Sequence, residues 1–184
     1  MTWERALFSL FDDLEQQAEG LALAARDSEV AEHGRAEYAT VDLEARVHGS
    51  VGHVLACDLD GGLRLRGEVV RAGSGWCLLG AGPAGPEGEG QRAWVVNLGC
   101  VTRVVGLASR AVAPDARGVA ARLGLRSVLR RLAESREVVL VVRSDGGQVR
   151  GRVGRVGADF VEMVAEPDAL EVVPLRALAA IRTD

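Results

Sequence analysis

Residues 62–79 read GLRLRGEVVRAGSGWCLL, and residues 146–163 read GGQVRGRVGRVGADFVEM. The two stretches align without a gap at an offset of 84: Gly62 with Gly146, Arg66 with Arg150, Gly67 with Gly151, Val69 with Val153, Arg71 with Arg155, Gly73 with Gly157, and Trp76 with Phe160. In the first, Leu63, Leu65, Gly67 and Val69 alternate with Arg64, Arg66 and Glu68, the two-residue period of a strand with one face inward and one in water. Glycines inside such a strand permit a sharp bend. Each stretch leads to a related tail, WVVNLGCVTRVV from Trp94 and EVVPLRALAAIR from Glu171, now at an offset of 77. The intervening loop is therefore seven residues longer in the first version.

Outward from these stretches, each version is led in by a helix and a strand. The second has an Arg-rich helical segment near Val119 to Ala133, with Leu125, Val128, Leu129 and Leu132 on one face, and then the run EVVLVV from Glu137 to Val142. Pro114 and Asp115 suit the entry to that helix. The first has a helical stretch from about Ala36 to Val47, a turn at Gly49 to Gly52 and a strand near His53 to Asp58. The pattern predicts an α+β chain: an acidic helical head over residues 1–48, a first small five-stranded barrel over 49–113, and a helix with a second barrel over 114–184. A barrel of roughly 50 to 55 residues is marginal by itself, so helix packing or barrel pairing must supply further apolar burial.

A helix followed by five strands, with glycines framing the second strand at Gly62/Gly67 and Gly146/Gly151, resembles the Sm-like small barrel. Hfq-type proteins and the Sm-like domain of the ribosome maturation factor are the nearest analogues of VVLVVRSDGGQVRGRVGRVGADFVEMV. SH3-like barrels share the same glycine-punctuated strands. The chain as a whole also looks like a set of actinobacterial proteins with an acidic helical head, some labelled Fis-type regulators, although no helix-turn-helix pattern is present. Members of the Sm family bind single-stranded RNA on rings of subunits, and the resemblance implies RNA binding and self-association here. The sequence departs from the family pattern after the second strand, with Gly73 and Gly157 in place of Asp, and with Cys77 and Val161 in place of a base-contacting Asn. NLGC at Asn97 and PLRA at Pro174 replace the later family motif.

The N-terminal segment differs in kind from the rest of the 184-residue chain. Residues 1–48 carry 11 acids against 4 arginines, and residues 49–184 carry 18 arginines against 15 acids. Trp3, Leu7, Leu10, Phe11 and Leu14 recur at helical spacing between Trp3 and Ala25, forming an amphipathic stripe suited to a partner protein or a second copy. The start lacks a basic segment followed by an apolar one, which predicts a cytoplasmic protein, and no apolar run approaches the ~18 residues of a membrane span. Lysine is absent, which excludes Schiff-base catalysis and the phosphate-loop lysine.

No catalytic, cofactor-binding or metal-ligating set emerges, and the chain is expected to be no enzyme. GAGPAG at Gly80 to Gly85 satisfies G-x-G-x-x-G but carries a proline and is followed by PEGEG, so it cannot hand a pyrophosphate to a helix N-terminus and reads as a hairpin loop. Cys57, Cys77 and Cys100 lack metal-ligand spacing and sit in apolar, strand-like runs. Ser74 has no nucleophile frame, and no histidine follows His53. Arginine is the one polar group with a pattern. Arg122, Arg126 and Arg130 recur at i, i+4 and i+8 on the expected third helix, and Arg66, Arg71, Arg150, Arg152 and Arg155 decorate the strands. Together they predict a phosphate-contacting surface, which by the Sm-like resemblance would take RNA in preference to DNA, solvated or ion-paired arginine being the alternative. The competing function is a protein-interaction or oligomerisation scaffold working through the N-terminal stripe and the barrel edges.

Overall fold

The alternation around Gly67 folds into β2 (Arg64–Gly73), where Leu65, Gly67 and Val69 are buried and Arg64, Arg66 and Glu68 are exposed. Its counterpart β7 (Gln148–Val156) buries Val149, Gly151 and Val153. The computed structural model describes residues 35–80, 93–165 and 169–183. The chain divides into two compact units, residues 1–41 and 42–184. In the first, residues 35–38 form a helical turn, and Thr40 Oγ1 donates to the Glu37 carbonyl at 2.7 Å. The amphipathic stripe of Trp3, Leu7, Leu10, Phe11 and Leu14, and residues 81–92 of the loop that follows Gly80, lie outside the described residues.

The second unit contains β1 (Val54–Leu59), β2, β3 (Trp76–Leu79), β4 (Trp94–Asn97), β5 (Val101–Val105), β6 (Val138–Arg143), β7, β8 (Phe160–Ala165), β9 (Ala169–Pro174) and β10 (Leu178–Thr183). They form one antiparallel sheet in the order β5-β1-β2-β3-β4-β10-β6-β7-β8-β9. Adding five to each label of the first half reproduces the second. The registers coincide as well. Leu55 lies opposite Gly67 and Val139 opposite Gly151; Val69 faces Leu79 and Val153 faces Met163. Trp76 faces Asn97 and Phe160 faces Pro174, while Cys57 faces Val104 and Val141 faces Ile181. β2 and β7 each pair with the preceding strand along their first part and with the following strand along their second, bulging between Val69 and Arg71 and between Val153 and Val156. The partner change occurs near Gly67 and Gly151, where a Cβ would collide with the backbone carbonyl of Gly80 or Val164.

The expected α+β arrangement of N-terminal helices and two separate five-stranded barrels, Sm-like or SH3-like, is therefore corrected: the strands merge into one ten-stranded sheet. The cause is the pairing of β4 with β10, with Val96 opposite Ala180, Val95 opposite Ile181 and Trp94 opposite Arg182. Two isolated five-stranded units would leave these strands as open edges with unpaired backbone groups; joining them satisfies both at once. Apolar alternation specifies which face of each strand is buried, but does not specify which strand lies alongside.

Two helices precede β1 and β6, with boundaries that differ from the periodicity. α1 spans Leu43–Gly49 and is capped by Asp42, whose Oδ1 accepts the Ala45 N–H at 2.6 Å. This cap separates it from residues 35–38, so the expected helix from Ala36 to Val47 is broken. Ala45 and Val47 are buried, which places α1 in the second unit. The expected helix over Val119–Ala133 divides into a 3-10 turn (Val119–Arg122) and α2 (Leu125–Ser135). Between them Gly124 forms a bridge with Ser74, and the Leu123 carbonyl accepts from Ser74 N–H at 3.1 Å and Trp76 Nε1 at 2.7 Å. Tertiary hydrogen bonds thus replace the helical ones at this point.

Two apolar clusters result. One gathers Val47, Leu55, Val69, Cys77, Leu79 and Val96, and the other gathers Leu129, Val139, Val149, Val161, Met163 and Ile181. The joint belongs to both. Ala179 and Ala180 of β10 are part of the first cluster, and Val95 of β4 packs on the second.

Candidate functional site

The arginines predicted to meet phosphate are carried on several separate elements. Arg66 and Arg71 project from β2, and Arg150, Arg152 and Arg155 from β7, all exposed. Four strands, β3, β4, β10 and β6, stand between β2 and β7 in the sheet order. Arg126 and Arg130 are exposed on α2, whereas Arg122 belongs to the preceding 3-10 turn, so the three-residue stripe is shortened to two. α2 inserts Leu129 among Val149 and Val153, the buried side of β7, while Arg150 and Arg152 occupy the alternate positions. The helix arginines and the strand arginines therefore lie on opposite sides of β7.

Arg155 is committed to a carboxylate. Its Nε and Nη2 reach Glu162 Oε2 and Oε1 of β8 at 2.8 and 3.1 Å, a two-point pair that holds the guanidinium against the sheet. Arg66, Arg71, Arg122, Arg126, Arg130 and Arg152 have no ion-pair partner among the described residues. Asp58 draws in Arg64 and Arg103 from the strands on either side, at 3.5 and 3.4 Å.

A buried polar cluster, which sequence reasoning did not single out, forms where the segment after β5 crosses α1. Arg117 Nη1 pairs closely with Glu44 Oε1, and Nη2 lies 3.7 Å from Asp42 Oδ1. Glu44 Oε2 also accepts the Gly75 N–H at 2.8 Å. His48 Nε2 stands 3.9 Å from Glu44 Oε1, and both the His48 and the Arg117 side chains are only 7% exposed. Burial, reinforced by the Arg117 charge, holds the His48 imidazole below its ordinary pKa. A cleft of about 510 Å³ opens beside this cluster, lined by Glu44, Ser74, Pro114, Asp115, Arg117 and Arg122. The main charges of the wall, Glu44 and Arg117, neutralise each other, and the same segment is tied down by Arg46 Nη2 to the Ala108 carbonyl at 2.7 Å and Arg110 Nε to the Gly49 carbonyl at 2.8 Å. The arrangement is that of a strap holding the connection between the two halves of the sheet.

Cys57, Cys77 and Cys100 are free, buried thiols. Burial raises all three, Cys77 to about 12, so the nucleophilic thiolate is suppressed at neutral pH. Cys100 Sγ lies 3.5 Å from the Leu178 carbonyl, and Asn97 Nδ2 donates to that carbonyl at 2.8 Å, so both side chains hold β10 beside β4. Among the described residues no group of His, Cys, Asp and Glu is arranged to hold a metal ion, and no helix is long and apolar enough to cross a membrane.

The sheet ends are the remaining feature. Among the described residues β5 pairs with β1 alone and β9 with β8 alone, leaving one side of each strand open. Apolar side chains stand out there: Val105 is 47% exposed, Leu170 63% and Val172 58%. The sequence signal for these edges was the pair of tails aligned at an offset of 77, because β4 and β10 at the joint correspond to β9 and β5 at the ends. No family model matches the chain, and no curated protein matches it.

Proposed function

We propose that the protein is a cytoplasmic, non-catalytic interaction module that engages other protein strands through the ends of its sheet. The observation that carries this reading is the pair of strands, β5 and β9, whose outer sides are open among the described residues, with Val105, Leu170 and Val172 exposed along them. Open edges with apolar side chains are templates for strand addition, and Arg103 on β5 and Glu171 and Pro174 on β9 are the charges and proline these two strands carry against it. The shared strand order and registers support reading the two halves as copies of one strand module. Amide hydrogen exchange tests the proposal: β5 and β9 should gain protection as protein concentration rises or as a partner is added, while β1 and β8 stay unchanged. Edge amides that exchange freely under all these conditions would overturn it.

A second reading is favoured by the exposed arginines without partners among the described residues. Arg66, Arg71, Arg126, Arg130 and Arg152 supply charge for contacts to RNA phosphates, the activity that the Sm-like resemblance implies. Fluorescence anisotropy with labelled single-stranded RNA and duplex DNA decides this: the reading requires binding that weakens steeply with salt and falls on replacing Arg126 and Arg130 by Gln. Absence of salt-sensitive binding removes it.

A further inference from the structure

We infer that residues 113–122 form a latch that acid releases: a proton on His48 sets its ring against Arg117 for the same Glu44 carboxylate, and the segment swings off α1 while the sheet stays folded. The inference is independent of the interaction reading above. The segment lies between two anchors. Before it, Val112 N–H donates to the Ala45 carbonyl at 3.0 Å and Ala108 N–H to Ser50 Oγ at 2.9 Å; after it, the Leu123 carbonyl accepts from Ser74 N–H and Trp76 Nε1. Between the anchors the chain makes two 3-10 turns, Pro114–Ala116 and Val119–Arg122, whose backbone hydrogen bonds stay within this stretch of chain. Most of its residues are exposed, Val119 by 82%, but the Arg117 side chain is only 7% exposed and carries the segment into the body at Glu44. The fastening is therefore a side chain, and no strand has to unpair for it to come off.

The fastening is incompletely paired. Arg117 Nη1 takes Glu44 Oε1, while Nη2 is buried 3.7 Å from Asp42 Oδ1 without a hydrogen-bond partner among the described residues. His48 Nε2 is likewise buried and unpartnered, 3.9 Å from the same Glu44 Oε1. Each of these nitrogens has given up water without a replacement, which weakens the closed arrangement. The charged groups facing the imidazole are Glu44 and Asp42, from α1 and its cap, and Arg117 from the segment; the Gly73 backbone of β2 bonds to the ring. A neutral ring fits beside the guanidinium. A protonated one makes Nε2 a donor whose carboxylate acceptor is the oxygen Arg117 already holds, and it sets two cations side by side away from water. Release resolves both conflicts, since Arg117 regains water and His48 keeps Glu44 and Asp42. Burial and the Arg117 charge disfavour the proton while the segment is closed, so closure is lost as the pH falls from the ordinary imidazole value of 6.5 towards the lowered one. The segment supplies Pro114, Asp115, Arg117 and Arg122 to the cleft and the body supplies Glu44 and Ser74, so release turns the cleft of about 510 Å³ into an open face with Glu44 accessible.

Brief digestion of the full chain with trypsin, read by mass spectrometry, tests the latch. Trypsin must take an arginine side chain into its own pocket, so cleavage after Arg117 requires release, whereas Arg122 in the same segment is exposed and corrects for the effect of pH on the protease. The ratio of initial cleavage after Arg117 to that after Arg122 should rise about fivefold or more between about pH 7 and about pH 5.5, the ceiling for one proton being about tenfold per pH unit. Amides of β1 and β8 should keep their protection from hydrogen exchange throughout. His48→Gln, with the fold checked by circular dichroism, should hold the ratio at its neutral value at both pH values, and Glu44→Gln should raise it at both. In the native protein, the His48 ring, assigned by NMR against His33 and His53, should titrate over the range in which Arg117 becomes cleavable. A ratio that does not change with pH, a rise that persists in His48→Gln, or a His48 ring that titrates elsewhere would overturn the latch. Loss of β1 and β8 protection together with cleavage after Arg117 would overturn it too, because the sheet would then be unfolding with the segment.

Discussion

Gly67 shows how a single atom governs the fold. A methyl group there meets the Gly80 carbonyl oxygen, and at Gly151 it meets that of Val164, because the following strand crosses β2 and β7 at these points. The obstruction is backbone, which cannot rotate aside, so Gly67→Ala is expected to cost at least about 2 kcal/mol in urea unfolding, near the upper part of the range for overpacking. Gly118, with open space around its Cβ position, supplies the control: Gly118→Ala should stay within about 0.5 kcal/mol of the native protein. Equal effects at the two positions would show that the crossing is not tight. The alignment of Gly67 with Gly151 was visible in the sequence, as was burial of the three cysteines in apolar runs. The reason for the glycines, contact with a strand twelve or more residues away, was not.

At the scale of elements, the strap between β5 and α2 is where local pattern and tertiary contact disagree. The stripe Arg122, Arg126 and Arg130 has helical spacing, yet the helix begins after Gly124 because Leu123 serves Ser74 and Trp76. Gly124 is a breaker visible in the sequence, and the spacing alone outweighed it. Arg117, also without a local pattern, is buried against Glu44 and His48. The His48 pKa is lowered in the folded chain, so the unfolded chain binds more protons once the pH falls below about 6.5, and stability declines as the pH passes down towards the folded value. Thermal unfolding between about pH 7 and pH 5 should therefore show a steeper loss for the native protein than for His48→Gln, which cannot take up the proton. Coincident slopes would remove His48 as the cause.

For the whole molecule the question is whether the halves of the sheet fold independently. The joint argues that they do not, since residues of β10 complete the first cluster and Val95 of β4 packs on the second. Scanning calorimetry is expected to show one transition with equal calorimetric and van't Hoff enthalpies. Val96→Ala, which removes a fully buried side chain opposite Ala180, should lower that transition by about 1–3 kcal/mol without splitting it. Two resolved transitions would mean that β4 and β10 are paired without being coupled.

The sequence by itself determined the strands, their inward faces and the correspondence of the two tails, because side-chain alternation is a local property written into neighbouring residues. It also marked the arginines, although not which of them meet carboxylates, as Arg155 meets Glu162. Only the tertiary structure decided that β4 lies beside β10 and that two expected barrels become one sheet. Strand neighbours are joined by backbone N–H and C=O groups that every residue except proline carries in the same form, so the choice of neighbour leaves almost no mark on the order of side chains.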